Sequence, residues 1–67
     1  MNEALQRLQA EKDDLHARSY RLAQYILSPK FSEQTEAMQD VLKRQVLAMD
    51  LLESALKDRI ALVGGES

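Results

Sequence analysis

The stretch Gln45–Ile60, QVLAMDLLESALKDRI, decides the fold, because it continues a seam of residues spaced alternately three and four apart. Such spacing places side chains along one face of a helix and is typical of a coiled coil. The seam consists of Leu42, Gln45, Met49, Leu52, Leu56, Arg59 and Val63. Gln45 and Arg59 are polar, and a seam that holds helices together should be apolar.

Two explanations of these polar positions stay open. A glutamine in a seam fixes the register and the number of helices, and an arginine near a helix end covers apolar surface with its stem while its guanidinium reaches water. Alternatively, Gln45 and Arg59 line a polar pocket between subunits, where the planar guanidinium suits a phosphate group.

The composition indicates a small domain that has no disulfide bonds to stabilise it. The chain has 67 residues, no cysteine and one histidine, so we predict one domain, residues 1–67, stabilised by self-association. Nine basic and eleven acidic residues are mixed along the chain, which indicates no surface for duplex nucleic acid or for a membrane. The polar start and the short apolar runs indicate neither a signal peptide nor a membrane span. We therefore expect a soluble, cytoplasmic protein.

The helix breakers divide the chain. Pro29, Gly64 and Gly65 are the only prolines and glycines, and both residue types disfavour helix interiors. Their positions predict a helix over about 2–27, a turn over 28–34, a second helix over about 35–63 and a flexible tail over 64–67.

The short turn makes the two helices antiparallel neighbours, so the predicted fold is all-α, an antiparallel two-helix hairpin. Pairing about residue 32 places Ser19 opposite Gln45 and Leu8 opposite Leu56. The second helix also carries apolar residues beside its main seam, which implies burial on two sides. We therefore expect the hairpin to assemble with itself into a homo-oligomeric helical bundle, a dimer or larger. The predicted core and oligomer residues are Leu8, Leu15, Leu22, Ile26, Leu42, Met49, Leu52, Leu56 and Ile60.

The turn supplies further candidate ligand residues. Tyr25, Lys30 and Phe31 place two aromatic rings and a cation close to the start of the second helix. Rings stack on nucleobases, and a lysine with helix-start amides holds phosphate. The alternative is that Phe31 plugs the end of the bundle and Tyr25 covers it. Together with Gln45 and Arg59, these three residues form the predicted ligand-binding set.

No enzymatic chemistry is indicated. The sequence contains no nucleophile–base pair and no glycine-rich phosphate loop. Asp13 and His16 have the spacing of half a di-metal carboxylate site, but such bundles need the motif twice together with inward-facing glutamates. We expect neither enzymatic activity nor a metal or other cofactor.

The residues Phe31, Leu42, Gln45, Met49, Leu52, Leu56 and Arg59-Ile60, at these spacings, resemble a set of short proteins from bacteriophage and prophage genomes. The likeness extends from about Glu11 to Ile60. Members of that set often have tyrosine where this chain has Leu52, so a shared aromatic contact is not expected there. In size, lack of catalytic residues and expected assembly, the chain also looks like phage sequestering proteins, or sponges. Those proteins bind cyclic nucleotides or similar immune signals in pockets between subunits.

This resemblance implies a small non-enzymatic phage protein that counters host antiviral defence by sequestering a nucleotide-type signal between its subunits. Two alternatives stay open. The apolar flank of the second helix, notably Leu47, Leu51 and Leu62, is suited to receive a helix of another protein, which would make the chain an inhibitor or adaptor. The chain is also compatible with a purely structural coiled-coil oligomer without a ligand.

Overall fold

The computed structural model describes residues 2–65, which form two long α-helices and a short 3-10 helix. Helix α1 spans Glu3–Ile26, the 3-10 helix spans Pro29–Glu33, and helix α2 spans Glu36–Val63. The two α-helices pack against each other as an antiparallel hairpin. Met1 and the last two residues of the predicted tail, Glu66 and Ser67, lie outside the described residues.

Local side chains define the helix ends. The Asn2 side chain accepts a hydrogen bond from the Leu5 amide at 3.1 Å, and the Thr35 hydroxyl accepts one from the Met38 amide at 3.1 Å. Each therefore satisfies an amide that the first helical turn leaves without a backbone partner. At the far end of α2 the chain leaves the helix through Gly65, whose φ of 90° is readily adopted only by glycine.

The 3-10 helix extends the first arm of the hairpin. Pro29 disfavours helical geometry at the residue before it, and Ser28 is extended. Helix α1 therefore ends before Pro29, and the Ser28 hydroxyl donates to the Tyr25 carbonyl at 2.6 Å. After the 3-10 helix, Gln34 and Thr35 are both extended, with ψ of 158° and 157°. The chain reverses at this pair of residues.

The register differs from the predicted pairing about residue 32. Ser19 donates a hydrogen bond to Asp50 at 3.2 Å rather than facing Gln45, and His16 contacts Glu53 at 2.9 Å. The midpoint of both pairs in sequence falls between Gln34 and Thr35. The prediction was wrong because residues 29–33 continue the first arm as a 3-10 helix instead of forming the reversal.

Helix α2 meets α1 with a face that keeps Leu42, Met49 and Leu56 of the predicted seam and is shifted by one residue at the positions between them. This face consists of residues that are buried or half-buried in the hairpin: Leu42, Val46, Met49, Glu53, Leu56 and Ile60. Val46 and Ile60 replace the polar Gln45 and Arg59, which makes the contact more apolar. Glu53 replaces Leu52, and its carboxylate is contacted by the His16 ring and the Lys57 ammonium.

The core of the hairpin is small. Leu8, Leu15 and Leu56 form its buried cluster, with Met49 and Ile60 packed against it. Of the other predicted core residues, Leu22, Ile26 and Leu42 are half-buried, whereas Leu52 is 49% exposed and lies outside the contact with α1. A role for Leu52 in burial therefore requires a second copy of the chain and stays a prediction.

The hairpin is a rod of 48 × 16 × 13 Å with a radius of gyration of 15.2 Å. A compact domain of this length would have a radius of gyration of about 11 Å. Within residues 2–65, neither helix has a stretch apolar and long enough to cross a bilayer.

Leu56 is 1% exposed, so replacing it should damage the core more than any surface change. We expect Leu56→Ala to lower the free energy of unfolding by about 2–5 kcal/mol, from lost burial and a residual cavity. Leu27→Ala, at a position that is 80% exposed, is the matched control and should change it by less than about 0.5 kcal/mol. Urea denaturation followed by circular dichroism measures both, and equal effects would contradict the described core.

Candidate functional site

The residues of the turn pack mainly on one another. Phe31 is 8% exposed, and its ring is perpendicular to the Tyr25 ring, with the two centroids 6.3 Å apart. The Lys43 ammonium lies 5.8 Å from the centroid of the Phe31 ring, in the range of a cation–π contact. Edge-to-face rings and a cation are favourable neighbours of an aromatic side chain. Phe31 therefore fills the closed end of the hairpin.

Hydrogen bonds tie the turn to both arms. The Gln34 side-chain amide donates to the Tyr25 hydroxyl at 2.6 Å, and the Gln39 side-chain amide donates to the Gln34 carbonyl at 3.0 Å. Lys30 is exposed and forms no ion pair with another described residue. This geometry agrees with the interpretation in which Phe31 is a plug that Tyr25 covers. A ligand role for Tyr25, Lys30 and Phe31 stays a prediction.

Gln45 and Arg59 lie on a second line of residues along α2, beside the face that packs on α1. This outer stripe is defined by residues alternately four and three apart, all of them exposed: Val41, Gln45, Ala48, Leu52, Ala55, Arg59 and Leu62. Neither Gln45 nor Arg59 forms a hydrogen bond or ion pair through its side chain with another described residue. Both polar side chains are thus available, and they stand in an otherwise apolar line.

The predicted ligand residues do not meet in one chain. Gln45 and Arg59 are fourteen residues apart on one straight helix, which separates them by about 21 Å along its axis. Two shallow depressions lie along residues 3–10 of α1 and along residues 36–43 of α2, and neither includes a predicted ligand residue. A pocket that uses both Gln45 and Arg59 needs more than a single hairpin.

Sequence reasoning missed the polar pairs that fix the register. Ser19, which is buried, bonds to Asp50, while His16 and Lys57 both contact the Glu53 carboxylate, at 2.9 and 3.7 Å. The signal was present in the spacing, because His16 and Ser19 are three residues apart and so are Asp50 and Glu53. Two such pairs on facing antiparallel helices match at only one register.

Comparison with known proteins assigns the family. The Sequestin family model matches residues 2–62, which include α1, the 3-10 helix and all but the last residue of α2. The chain belongs to the Sequestin family. No curated protein and no solved structure matches it. The Sequestin name suggests a sequestering function, in agreement with the resemblance to sequestering proteins.

The packing of the turn leads to a stability test of its residues. We expect Phe31→Ala to lower the free energy of unfolding by about 3 kcal/mol, because it empties the closed end of the hairpin. Lys30→Ala should change it by less than about 0.5 kcal/mol, since that side chain is exposed. Thermal and urea unfolding provide the measurement. An unchanged stability in Phe31→Ala would show that the ring does not act as a plug.

Proposed function

We propose that this protein is a non-enzymatic phage protein that sequesters a nucleotide-type immune signal in pockets between its subunits and thereby counters host antiviral defence. Membership of the Sequestin family supports a sequestering role. The observation that carries the ligand class is Arg59, a guanidinium exposed on an apolar stripe and unpaired with any other described residue. A planar guanidinium binds phosphate through paired, charge-assisted hydrogen bonds.

A sequestering protein removes its signal by binding it, in proportion to the amount of protein, and not by catalytic turnover. It lowers the concentration of free signal when it is present in excess over the signal and its dissociation constant lies below the concentration that activates the host receptor. No bond in the signal has to be made or broken, which fits a chain without a nucleophile–base pair.

Electrostatics favours a pocket between subunits over a site on one hairpin. A guanidinium and a phosphate that meet at an exposed surface attract each other weakly, because water and salt screen the charges. Covering the same pair with a second subunit lowers the local dielectric and strengthens the attraction. Gln45, on the same stripe, has amide groups that suit a base or a ribose, and the Tyr25 ring offers a surface for stacking.

A second candidate function rests on the exposed leucines of α2. Leu47, Leu51 and Leu62 are 61%, 75% and 67% exposed. Side chains of this kind receive an amphipathic partner helix, so the rival proposal is an interaction module that inhibits or adapts a host or phage protein. The two functions differ in the apolar surface that is still exposed after self-assembly. Only the interaction module needs such an exposed patch.

Native mass spectrometry of the protein, offered cyclic di- and trinucleotides and ADP-ribose derivatives, tests the proposed function. We expect a defined oligomer that gains the mass of one class of nucleotide. Arg59→Ala should keep the oligomer and lose the added mass, because the phosphate loses its guanidinium. Arg21→Ala removes an exposed, unpaired arginine from α1 and should retain binding.

The outcomes separate the candidates. An oligomer that gains no mass across the panel would overturn the nucleotide proposal and direct attention to protein partners. Loss of the oligomer in Arg59→Ala would assign that arginine to the structure of the assembly. Equal loss of binding in Arg21→Ala would indicate a general effect of positive charge.

A further inference from the structure

The order of residue types along the outer stripe is nearly the same in both directions. Its central residue is Leu52, flanked on each side by an alanine, then a polar residue, then a large apolar residue. All seven positions are exposed in the hairpin. A helix face whose side chains are arranged symmetrically about its centre is complementary to itself when one copy is reversed, as in two-fold symmetric interfaces.

We infer that the outer stripe of α2 packs antiparallel against the outer stripe of a second copy, about a two-fold axis near Leu52. In this arrangement Leu52 lies close to its own counterpart. Ala48 lies near the partner subunit's Ala55, and these small side chains allow the two helices to approach closely. Gln45 lies level with Arg59 of the partner subunit.

The charges beside the stripe favour the antiparallel orientation. Arg44, Leu51 and Asp58 follow one edge of the stripe at steps of seven residues. Reversing one copy brings Arg44 to Asp58 of the partner subunit and Leu51 to its own counterpart. A parallel pairing would instead oppose Arg44 to Arg44 and Asp58 to Asp58, which costs free energy.

Both charged side chains are available for this contact. Asp58 is exposed and has no ion pair with another described residue. Arg44 is exposed, and its Nε lies 3.5 Å from a carboxylate oxygen of Asp40 within the same helix. This contact leaves the two terminal nitrogens of the guanidinium for the partner.

The distribution of apolar surface identifies α2 as the inner helix of the assembly. In residues 2–65 the large apolar side chains buried by the hairpin alone are Leu8, Leu15, Phe31 and Leu56. Of the exposed ones, α1 and its end contribute only Tyr20 and Leu27, whereas the others all lie on α2. A second copy packed on the outer stripe covers Val41, Leu51, Leu52 and Leu62, and α1 keeps its polar outer face in water.

The pairing also completes the ligand site, and this part of the inference rests on the proposed function. The register of the hairpin places Tyr25 at the level of Arg44, next to Gln45 along the axis. Each pocket therefore takes Tyr25 and Gln45 from one copy and Arg59 from the other. The two-fold axis generates two such pockets, about 21 Å apart.

Cysteine crosslinking tests the pairing cleanly, because the chain has no cysteine of its own. Leu52→Cys, Val41→Cys and Leu62→Cys are treated separately with a short bis-maleimide, and the last two also as an equimolar mixture. We expect a covalent dimer from Leu52→Cys, none above background from Val41→Cys or Leu62→Cys alone, and a dimer from their mixture. Arg21→Cys, on the exposed side of α1, sets the background.

Other crosslinking patterns would overturn the inference. Dimers from Val41→Cys alone and from Leu62→Cys alone would indicate a parallel pairing. A Leu52→Cys yield no higher than that of Arg21→Cys would show that the stripe is free or reserved for another protein. Circular dichroism of each variant confirms that the hairpin is folded.

A charge exchange checks the register without cysteines. Arg44→Glu and Asp58→Arg should each raise the dissociation constant of the dimer about tenfold, since both symmetry-related pairs change from attraction to repulsion. The double variant Arg44→Glu/Asp58→Arg, and equally a mixture of the two single variants, should restore association in sedimentation velocity. A double variant weaker than either single variant would contradict the pairing.

The same samples separate failure of the pairing from failure of the proposed function. The crosslinked Leu52→Cys dimer is offered the nucleotide panel in native mass spectrometry, with two bound molecules expected per dimer. A correct crosslinking pattern without added mass would overturn the nucleotide function and leave the pairing in place. Added mass with a parallel or background pattern would overturn the pairing alone.

Discussion

Helix α2 carries more apolar surface than one antiparallel neighbour can cover, and this constraint determines the rest of the structure. One face of α2 packs on α1 around Leu56, and the outer stripe stays exposed. Polar side chains on α1 determine which face of α2 packs against it. His16 and Ser19 on α1 can satisfy Glu53 and Asp50 at only one register, and in that packing Gln45 and Arg59 are exposed.

In the proposed pairing, the same constraint would link folding to association. A hairpin with so few fully buried side chains gains little free energy against the entropy of ordering its backbone. In the proposed pairing, burial against a second copy would contribute directly to the stability of each chain, and the apparent stability would then depend on protein concentration. A ligand held between copies would add to it by mass action, because it binds the assembled state and not the unfolded chain.

The two-helix hairpin could be predicted from the sequence because its signals are local. Pro29 and the paired glycines divide the chain, and the 3.6-residue period runs through both halves. The register could not be predicted from these signals, since the five residues of the 3-10 helix are too few to show a period and their place in the first arm depends on burial of Phe31. The sequence alone showed that Gln45 and Arg59 are polar residues in an otherwise apolar seam. Their exposure could not be predicted from it, because a face with Val46 and Ile60 in place of Gln45 and Arg59 fits the helical spacing almost as well and is selected by Asp50 and Glu53.

The elongated shape of the hairpin affects how its assembly is counted in solution. A rod three times longer than it is wide experiences more friction than a sphere of equal mass, and it therefore elutes early from a gel-filtration column. Apparent masses from such columns would therefore overstate the number of subunits. Light scattering and mass spectrometry do not depend on friction. They are the appropriate methods for determining whether this rod associates and in how many copies.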